Sequence, residues 1–486
     1  MGHYMCAITY CSGLFGSARA VVAFSLVVAG CSGTDPAPGH VEDVGQVQLA
    51  AAFGQYITAF VADAAGGQQT EAVLDFSNIS NFDATMTVAF NDKWPDSFTR
   101  GSLLGYVHIN QATSTYKYSR LFPPAGVDAL WGDPAIVTHP KDNAYVYIQS
   151  MAVSDLIVGA NDRTCIARST NRGLSFSLSD TDCYPTPAGE NNDGSSIAAA
   201  KSGDVAFAYR NFTTNKINMW RANSPTGRFR EMTAPPFMNL DVRAHPRLAY
   251  DENSVLHAVT AYWDNSFGMS LAYARAPNGT FQAPVRLGAY NVLDANYTIP
   301  ATGNSFRIGG IAYSIAAGRN ESGNVEVRIA SLYSDGTYFH VRVWRCQNGI
   351  CSGGSNGVNS WDSARTPGIH HELFPAIAYG GGQWRLAYLT TFYTDASHFW
   401  PASHQIEGDG SAAHPYVTHT MQQATGPFRP VTPCPTGGYW SDYYDLKFNS
   451  SYPGVLFHYT YADQDVGQED CNTYPNPHLW LASIGP

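Results

Sequence analysis

The sequence is short of charge. Of its 486 residues, 14% are Asp, Glu, Lys or Arg, against about 25% in an ordinary soluble domain. Lys and Arg number 28 and Asp and Glu 39, for a net charge of −11. With no basic surplus to displace counterions from phosphates, nucleic acid is excluded as a partner. Long apolar runs are missing too: Val21 to Ala29, the most apolar stretch, is too short to cross about 30 Å of hydrocarbon as a helix. A CxxC pair, an HExxH helix and a phosphate-cradling GxxxxGK loop are all absent, which removes the usual signals of zinc clusters, metalloproteases and nucleotide enzymes. What the chain does have is 44% hydrophobic residues, 13% aromatics, 45 Gly and 28 Pro. That content excludes disorder. It is the composition of an extracytoplasmic β protein.

The apolar run follows Arg19 and ends in Val28-Ala29-Gly30-Cys31. This pattern resembles a bacterial lipobox, in which the cysteine takes a lipid and becomes N-terminal after cleavage. Residues 1–30 then read as a lipoprotein signal peptide. Residues 31–45, polar and rich in Pro and Gly, read as a flexible tether behind lipidated Cys31. An ordinary secretory signal with a chance cysteine is the alternative. Outside the leader six cysteines remain, in three local couples: Cys165 with Cys183, Cys346 with Cys351, and Cys434 with Cys471. Disulfides within each couple suit an oxidising compartment.

Residues 46–486 read as one domain built from a repeat. A short apolar strand recurs around Ile136, Ile197, Leu248, Ile311, Ile377 and Leu446, at spacings of 61, 51, 63, 66 and 69 residues. An alternating strand follows each, as in Val205-Ala-Phe-Ala-Tyr and Trp384-Arg-Leu-Ala-Tyr, and then a third and a fourth. Four strands per unit describe a β-propeller blade. A further unit at about residues 70 to 130 brings the expected count to seven, with six as the alternative. The last unit stops after its third strand, so Gln46 to Ala62 is expected to close the propeller as its fourth.

One turn between a third and a fourth strand reads Ser169-Thr-Asn171-Arg-Gly173-Leu-Ser175-Phe176. It resembles the Asp-box, S-x-D-x-G-x-T-W, of the sialidase-like BNR-repeat propeller superfamily. Weaker echoes stand at Gly227-Arg-Phe229, Gly279-Thr-Phe281 and Gly426-Pro-Phe428. The Asp-box is a turn device: a short polar side chain caps it, glycine takes positive φ, and the aromatic anchors the hairpin.

In a propeller, the residues leading into the innermost strands converge on one mouth of the axial channel. Here they are Asp133, Asp193, Arg243, His245, Arg307, His370-His371-Glu372, and Trp440 with Asp442, Tyr443 and Tyr444. Convergent polar groups in a concave site make the default functional site. Asp133 and Asp193 would equally serve as caps of interblade turns. The resemblance implies a Tyr nucleophile (Tyr443 or Tyr444), Glu372 as its base, Asp133 or Asp193 as acid, and a clamp of Arg243, Arg247 and Arg307. The Arg-Ile-Pro motif of sialidases is missing. His370, His371 and Glu372 also suit a metal, but lack a third-ligand spacing, so no metal and no cofactor is expected. Trp440, Tyr443, Tyr444, Phe399 and Trp400 would stack on sugar rings. The expectation is a monomeric, lipid-anchored, sialidase-like propeller of the bacterial envelope, at the outer membrane or cell surface, that recognises extracellular glycan. A sialidase-type glycoside hydrolase and a protein-interaction propeller without catalysis are the alternatives.

If Cys31 carries lipid, Cys31→Ala moves the protein from the membrane fraction to the soluble one. Retention in the membrane fraction after that change rules the anchor out.

Overall fold

The computed structural model describes residues 57–61, 68–80, 83–93, 102–110, 113, 115–155, 162–293, 295–298, 305–308, 312–352, 361–362, 370–391, 399–407, 417–418, 422–423, 444–450, 457–464 and 477–484. Among them the chain is all-β, with one 3-10 turn at Leu178–Asp180 as its helical content. Lipobox Cys31, Trp440, Asp442 and Tyr443 lie outside the described residues.

The strands form four-stranded antiparallel blades of a β-propeller. The first blade is Gln68–Ser80, Asp83–Lys93, Leu104–Asn110 and Thr115–Arg120. The second is Ala129–Thr138, Val146–Val153, Arg163–Ser169 and Thr181–Pro185. The third is Asn192–Ala199, Val205–Asn211, Lys216–Ala222 and Arg230–Glu231. In the fourth, Asp241–Val242 and Arg247–Tyr250 share the inner position before Leu256–Asp264, Gly268–Ala276 and Val285–Ala289. Tyr313–Arg319, Val325–Ser334 and Phe339–Gln347 lead the fifth; Glu372–Gly380, Gln383–Thr390 and Trp400–Glu407 lead the sixth.

Six blades are thus built from consecutive strands, which corrects the expectation of seven such units. The remaining sheet is a composite of both ends of the chain. It joins Leu446–Phe448, Phe457–Gln464 and Pro477–Ile484 to Ile57–Val61, with Ile57 opposite Ser483 and Val61 opposite Leu479. Its inner strand packs against both Glu372–Gly380 and Gln68–Ser80.

Neighbouring blades bury both faces of the second strands. Val146–Val153 and Val205–Asn211 are buried throughout. Aromatic rings fill the interblade gaps where the neighbour has glycine: a Cβ on Gly318 would run into the Tyr379 ring, and one on Gly380 into Phe448.

The fifth unit departs from the expected register. Its inner strand starts at Tyr313, and Ile315, opposite Ile329, takes the place assigned to Ile311. The reason is an interblade hydrogen bond. Ser196 Oγ accepts from Leu248 N–H at 2.9 Å, and Ser314 Oγ accepts from Ile377 N–H at 2.8 Å. Ser314 therefore stands where Ser196 does, one residue before the central apolar position. The same bond runs from Leu74 N–H to Asp445 Oδ2 at 3.5 Å, from the first blade back to the composite sheet.

Two of the three expected disulfides are formed. Cys165–Cys183 and Cys346–Cys351 each join directly opposed residues of a third and an outer strand. The third expected couple, Cys434 with Cys471, lies outside the described residues. At the Ser169–Phe176 turn, Asn171 Oδ1 accepts from Ser175 N–H at 3.0 Å, and Ser169 Oγ accepts from Gly173 N–H at 3.0 Å. Gly173 has φ 80°, and Phe176 packs edge-on against Tyr106 of the first blade at 5.0 Å.

Removing residues through Val61 strips Pro477–Ile484 of a partner over five residue pairs. At the usual net worth of a hydrogen bond this costs about 2 to 4 kcal/mol. A chain starting at residue 62 should melt below one starting at residue 46. Equal melting temperatures would show that the composite sheet stands without its outer strand.

Candidate functional site

In an antiparallel blade, the start of the first strand and the turn between the second and third lie at the same end. That end is the mouth. Four innermost strands reach it through a bulge that aims side chains off the blade. Glu71, Asp133 and Phe374 have φ of 52°, 50° and 55°, and Gly194 has 67°. Each lies three residues before its blade's central apolar residue, and register shifts occur at the same points. His245 holds the same offset before Leu248.

Three of the expected residues meet here. The ligand-capable atoms of Asp133, Asp193 and His245 lie within 4.8 Å of one another. His245 Nε2 is 2.9 Å from Asp193 Oδ2, with His245 4% exposed. Asn91 Oδ1 accepts from Asp133 N–H at 2.8 Å, and Asn91 Nδ2 donates to Glu71, which is fully buried. Burial, then the Asp193 charge, pushes the Asp133 carboxyl above the ordinary carboxylate range. Burial also works to raise Asp193, but the charge and hydrogen bond of His245 outweigh it and hold that carboxyl low. Between about pH 2 and about pH 6, one carboxyl therefore holds its proton while its neighbour is ionised. The same donor set suits a divalent cation, at residues other than His370, His371 and Glu372.

Arginine and aromatic groups flank the dyad. Arg210 lies opposite Asp193 in the sheet and donates to the Arg243 carbonyl at 2.8 Å and to Asn215 Oδ1 at 2.9 Å. Its guanidinium sits 4.0 Å over Phe212, whose ring meets His245 edge-on at 6.3 Å. Phe212 is 41% exposed; Trp263 (48%) and Phe267 (63%) stand on the equivalent turn of the fourth blade. Arg243 pairs with Asp241 at 2.5 Å, and Arg247 donates to the Ser195 carbonyl at 3.3 Å.

Other expected residues stand elsewhere. Arg307 ends a separate hairpin, Asn296–Thr298 with Ser305–Arg307, rather than leading an innermost strand. The Gly-Gly-Ile-Ala-Tyr match that placed it was four residues early. Glu372 is fully buried: Oε2 accepts from Val341 N–H of the fifth blade at 3.0 Å, and Oε1 is 3.2 Å from His370 Nε2. His371 sits among Tyr297, Tyr338 and Phe339, and its pKa is lowered to about 4 by burial and by the His340 and His370 charges. Tyr444 and Phe399, expected to stack on sugar, are core residues at 4% and 0% exposure. Tyr444 packs on Phe374 at 5.1 Å.

Glu71, Asn91, Arg210 and the Phe212–Trp263–Phe267 rim were missed from sequence. Glu71 was findable, because it precedes Leu74 by the offset that separates Asp133 from Ile136. The rim comes from turns between second and third strands, which share the mouth end by topology alone.

No family model and no curated protein matches the chain. Among solved structures it is similar to the polysaccharide lyase Uly1, with 9% identity, TM-score 0.45, and 92% of this chain and 94% of that one covered. It is also similar to the GH93 α-L-arabinofuranosidase of Fusarium graminearum in complex with arabinobiose, with 11% identity, TM-score 0.43 and coverage of 89% and 97%. A third is a PL25 ulvan lyase, with 9% identity, TM-score 0.45 and coverage of 88% and 95%. Each of these acts on a glycan. No residue role is carried across at these identities.

The two carboxyls should part in their pH dependence. Asp133, raised on folding, costs stability progressively as pH rises from about 3.9 through its folded value, so Asp133→Asn gains on wild type over that window. Asp193, lowered, contributes stability above the ordinary carboxylate value that is lost on acidification. Asp193→Asn should therefore be destabilised by about 2 kcal/mol at pH 7, with the difference closing in acid. Melting curves from pH 3 to 8 in the presence of a chelator test this; Asp133→Asn being the less stable variant at pH 8 contradicts it.

Proposed function

We propose that the mouth formed by Asp133, Asp193 and His245 binds extracellular glycan. The observation that carries this reading is the meeting of three acid–base side chains from three successive blades beside exposed Phe212. A carboxylate and an imidazole supply hydrogen bonds to sugar hydroxyls, and a ring with one open face supports a pyranose by stacking. Arg210 beneath Phe212 holds that ring in place.

Cleavage is the second reading, and the protonation pattern favours it. Below about pH 6 Asp133 holds a proton and is placed to protonate a leaving oxygen, and ionised Asp193 to stabilise or activate on the other side. Both Glu372 oxygens are engaged elsewhere, so proton transfer is assigned to Asp133 rather than to a Tyr443–Glu372 pair. Membership of the sialidase-like superfamily belongs to this proposal, supported by the Asn171-capped turn. So does closure of the propeller through Ile57–Val61, supported by the Leu74–Asp445 bond, which repeats the Leu248–Ser196 and Ile377–Ser314 latches. Export and lipid anchoring at Cys31, a Cys434–Cys471 disulfide and a monomeric state rest on the sequence.

A glycan array, followed by glycosidase and lyase substrates, tests the reading on wild type, Phe212→Ala and Asp133→Asn. Phe212→Ala should weaken glycan binding about tenfold, a loss of about 1.4 kcal/mol. Asp133→Asn should keep binding and lose any turnover. A protein that binds no glycan on the array is a protein-interaction propeller instead.

A further inference from the structure

At the opposite end of the blades, the turns between third and fourth strands of the third and fourth blades frame a cleft of about 560 Å³. These are the turns with the eroded box echoes, Gly227-Arg-Phe229 and Gly279-Thr-Phe281. Arg221, Arg228 and Arg230 line the cleft, with Asn223, Ser224 and Thr280. In a chain of net charge −11 this is a local reversal of sign.

The strand register sharpens the point. Arg221 and Arg230 are directly opposed partners in the sheet, so their side chains share a face. Like charges directly opposite destabilise a sheet. One is compensated: Arg221 Nη2 pairs with Asp204 Oδ2 at 3.1 Å. Arg228 and Arg230 are exposed and form no ion pair among the described residues. Glu231, the one carboxylate lining the cleft, is engaged by Asn218 Nδ2 at 3.4 Å. Gly279, at φ 75°, makes room for the Arg221 guanidinium, since a Cβ there would lie 2.7 Å from Nη1.

We propose that this cleft binds the oxyanion substituent of an acidic glycan, a sulfate ester or a uronate carboxylate. An oxyanion between Arg221, Arg228 and Arg230 relieves the opposed charges and is held by paired N–H donors. The hydroxyl and amide groups of Ser224, Thr280 and Asn223 serve the neighbouring sugar hydroxyls. The cleft rests on the glycan reading above only for the polymer that carries the anion.

The test is calorimetric titration of the full chain, in the Phe212→Ala background, with four probes: a sulfated, a uronate and a neutral oligosaccharide of equal length, and sodium sulfate. An anionic oligosaccharide should bind more tightly than the neutral one, with affinity falling as salt rises. Arg228→Ala/Arg230→Ala should weaken it about tenfold or more at an unchanged melting temperature, since both residues are exposed. Undiminished binding in the double variant, or equal binding of the neutral oligosaccharide, overturns the proposal. Saturation by sodium sulfate alone, with no gain from the sugar, assigns the cleft to free sulfate and overturns it as well. Binding that wild type and Phe212→Ala share undiminished, and that Arg228→Ala/Arg230→Ala abolishes, would instead overturn the reading of the mouth and leave this one standing.

Discussion

Each innermost strand has one edge with no neighbouring strand, and its backbone N–H groups need partners. The rest of the structure depends on how they are supplied. Ser196, Ser314 and Asp445 each accept the N–H of the central apolar residue in the following blade. Asp75 does the same for Thr138 N–H at 2.7 Å. Tyrosine hydroxyls add a second set: Tyr459 donates to the Phe374 carbonyl at 2.9 Å and Tyr313 to the His245 carbonyl. A blade is thereby tied to the next at its inner edge, where packing alone would leave it free to rotate.

The same inner edge builds the mouth. Because the bulge recurs at one offset, residues 62 and 112 positions apart, Glu71 to Asp133 and Asp133 to His245, arrive at equivalent places around one axis. Convergence brings carboxyls close enough to compete for a proton, and the competition separates Asp133 from Asp193. Tyr313 contributes at a distance, since its hydroxyl fixes the backbone of His245 and hence the ring that holds Asp193 ionised.

The opposite end of the blades follows a different logic. Its turns between third and fourth strands in the second and third blades are anchored by Phe176 and Phe229. Phe229, 5% exposed, packs against Phe207 at 5.0 Å and Tyr184 at 5.8 Å. The turns at the same place in the third and fourth blades lack the capping Asn of the Ser169–Phe176 turn and line the arginine-rich cleft.

Sequence by itself determined the blade. Alternation and spacing are local properties, so the four-strand unit, the inner strands, the turn at Asn171 and two disulfides between opposed strands were legible. It also placed Asp133, Asp193 and His245 at strand starts, because a polar residue before an apolar strand is a local signal. Tertiary structure decided what depends on register between strands and blades. Ile315 displaced Ile311 because the Ser314 hydroxyl must face the next blade, and Arg307 falls in a separate hairpin instead of leading that strand. Tyr444 and Phe399 were assigned to the core, and Phe212 to the surface, by which face a neighbouring blade covers. The opposition of Arg221 and Arg230 is likewise invisible in one dimension. A strand's alternation says which residues share a face, but only its partner's position says what that face meets.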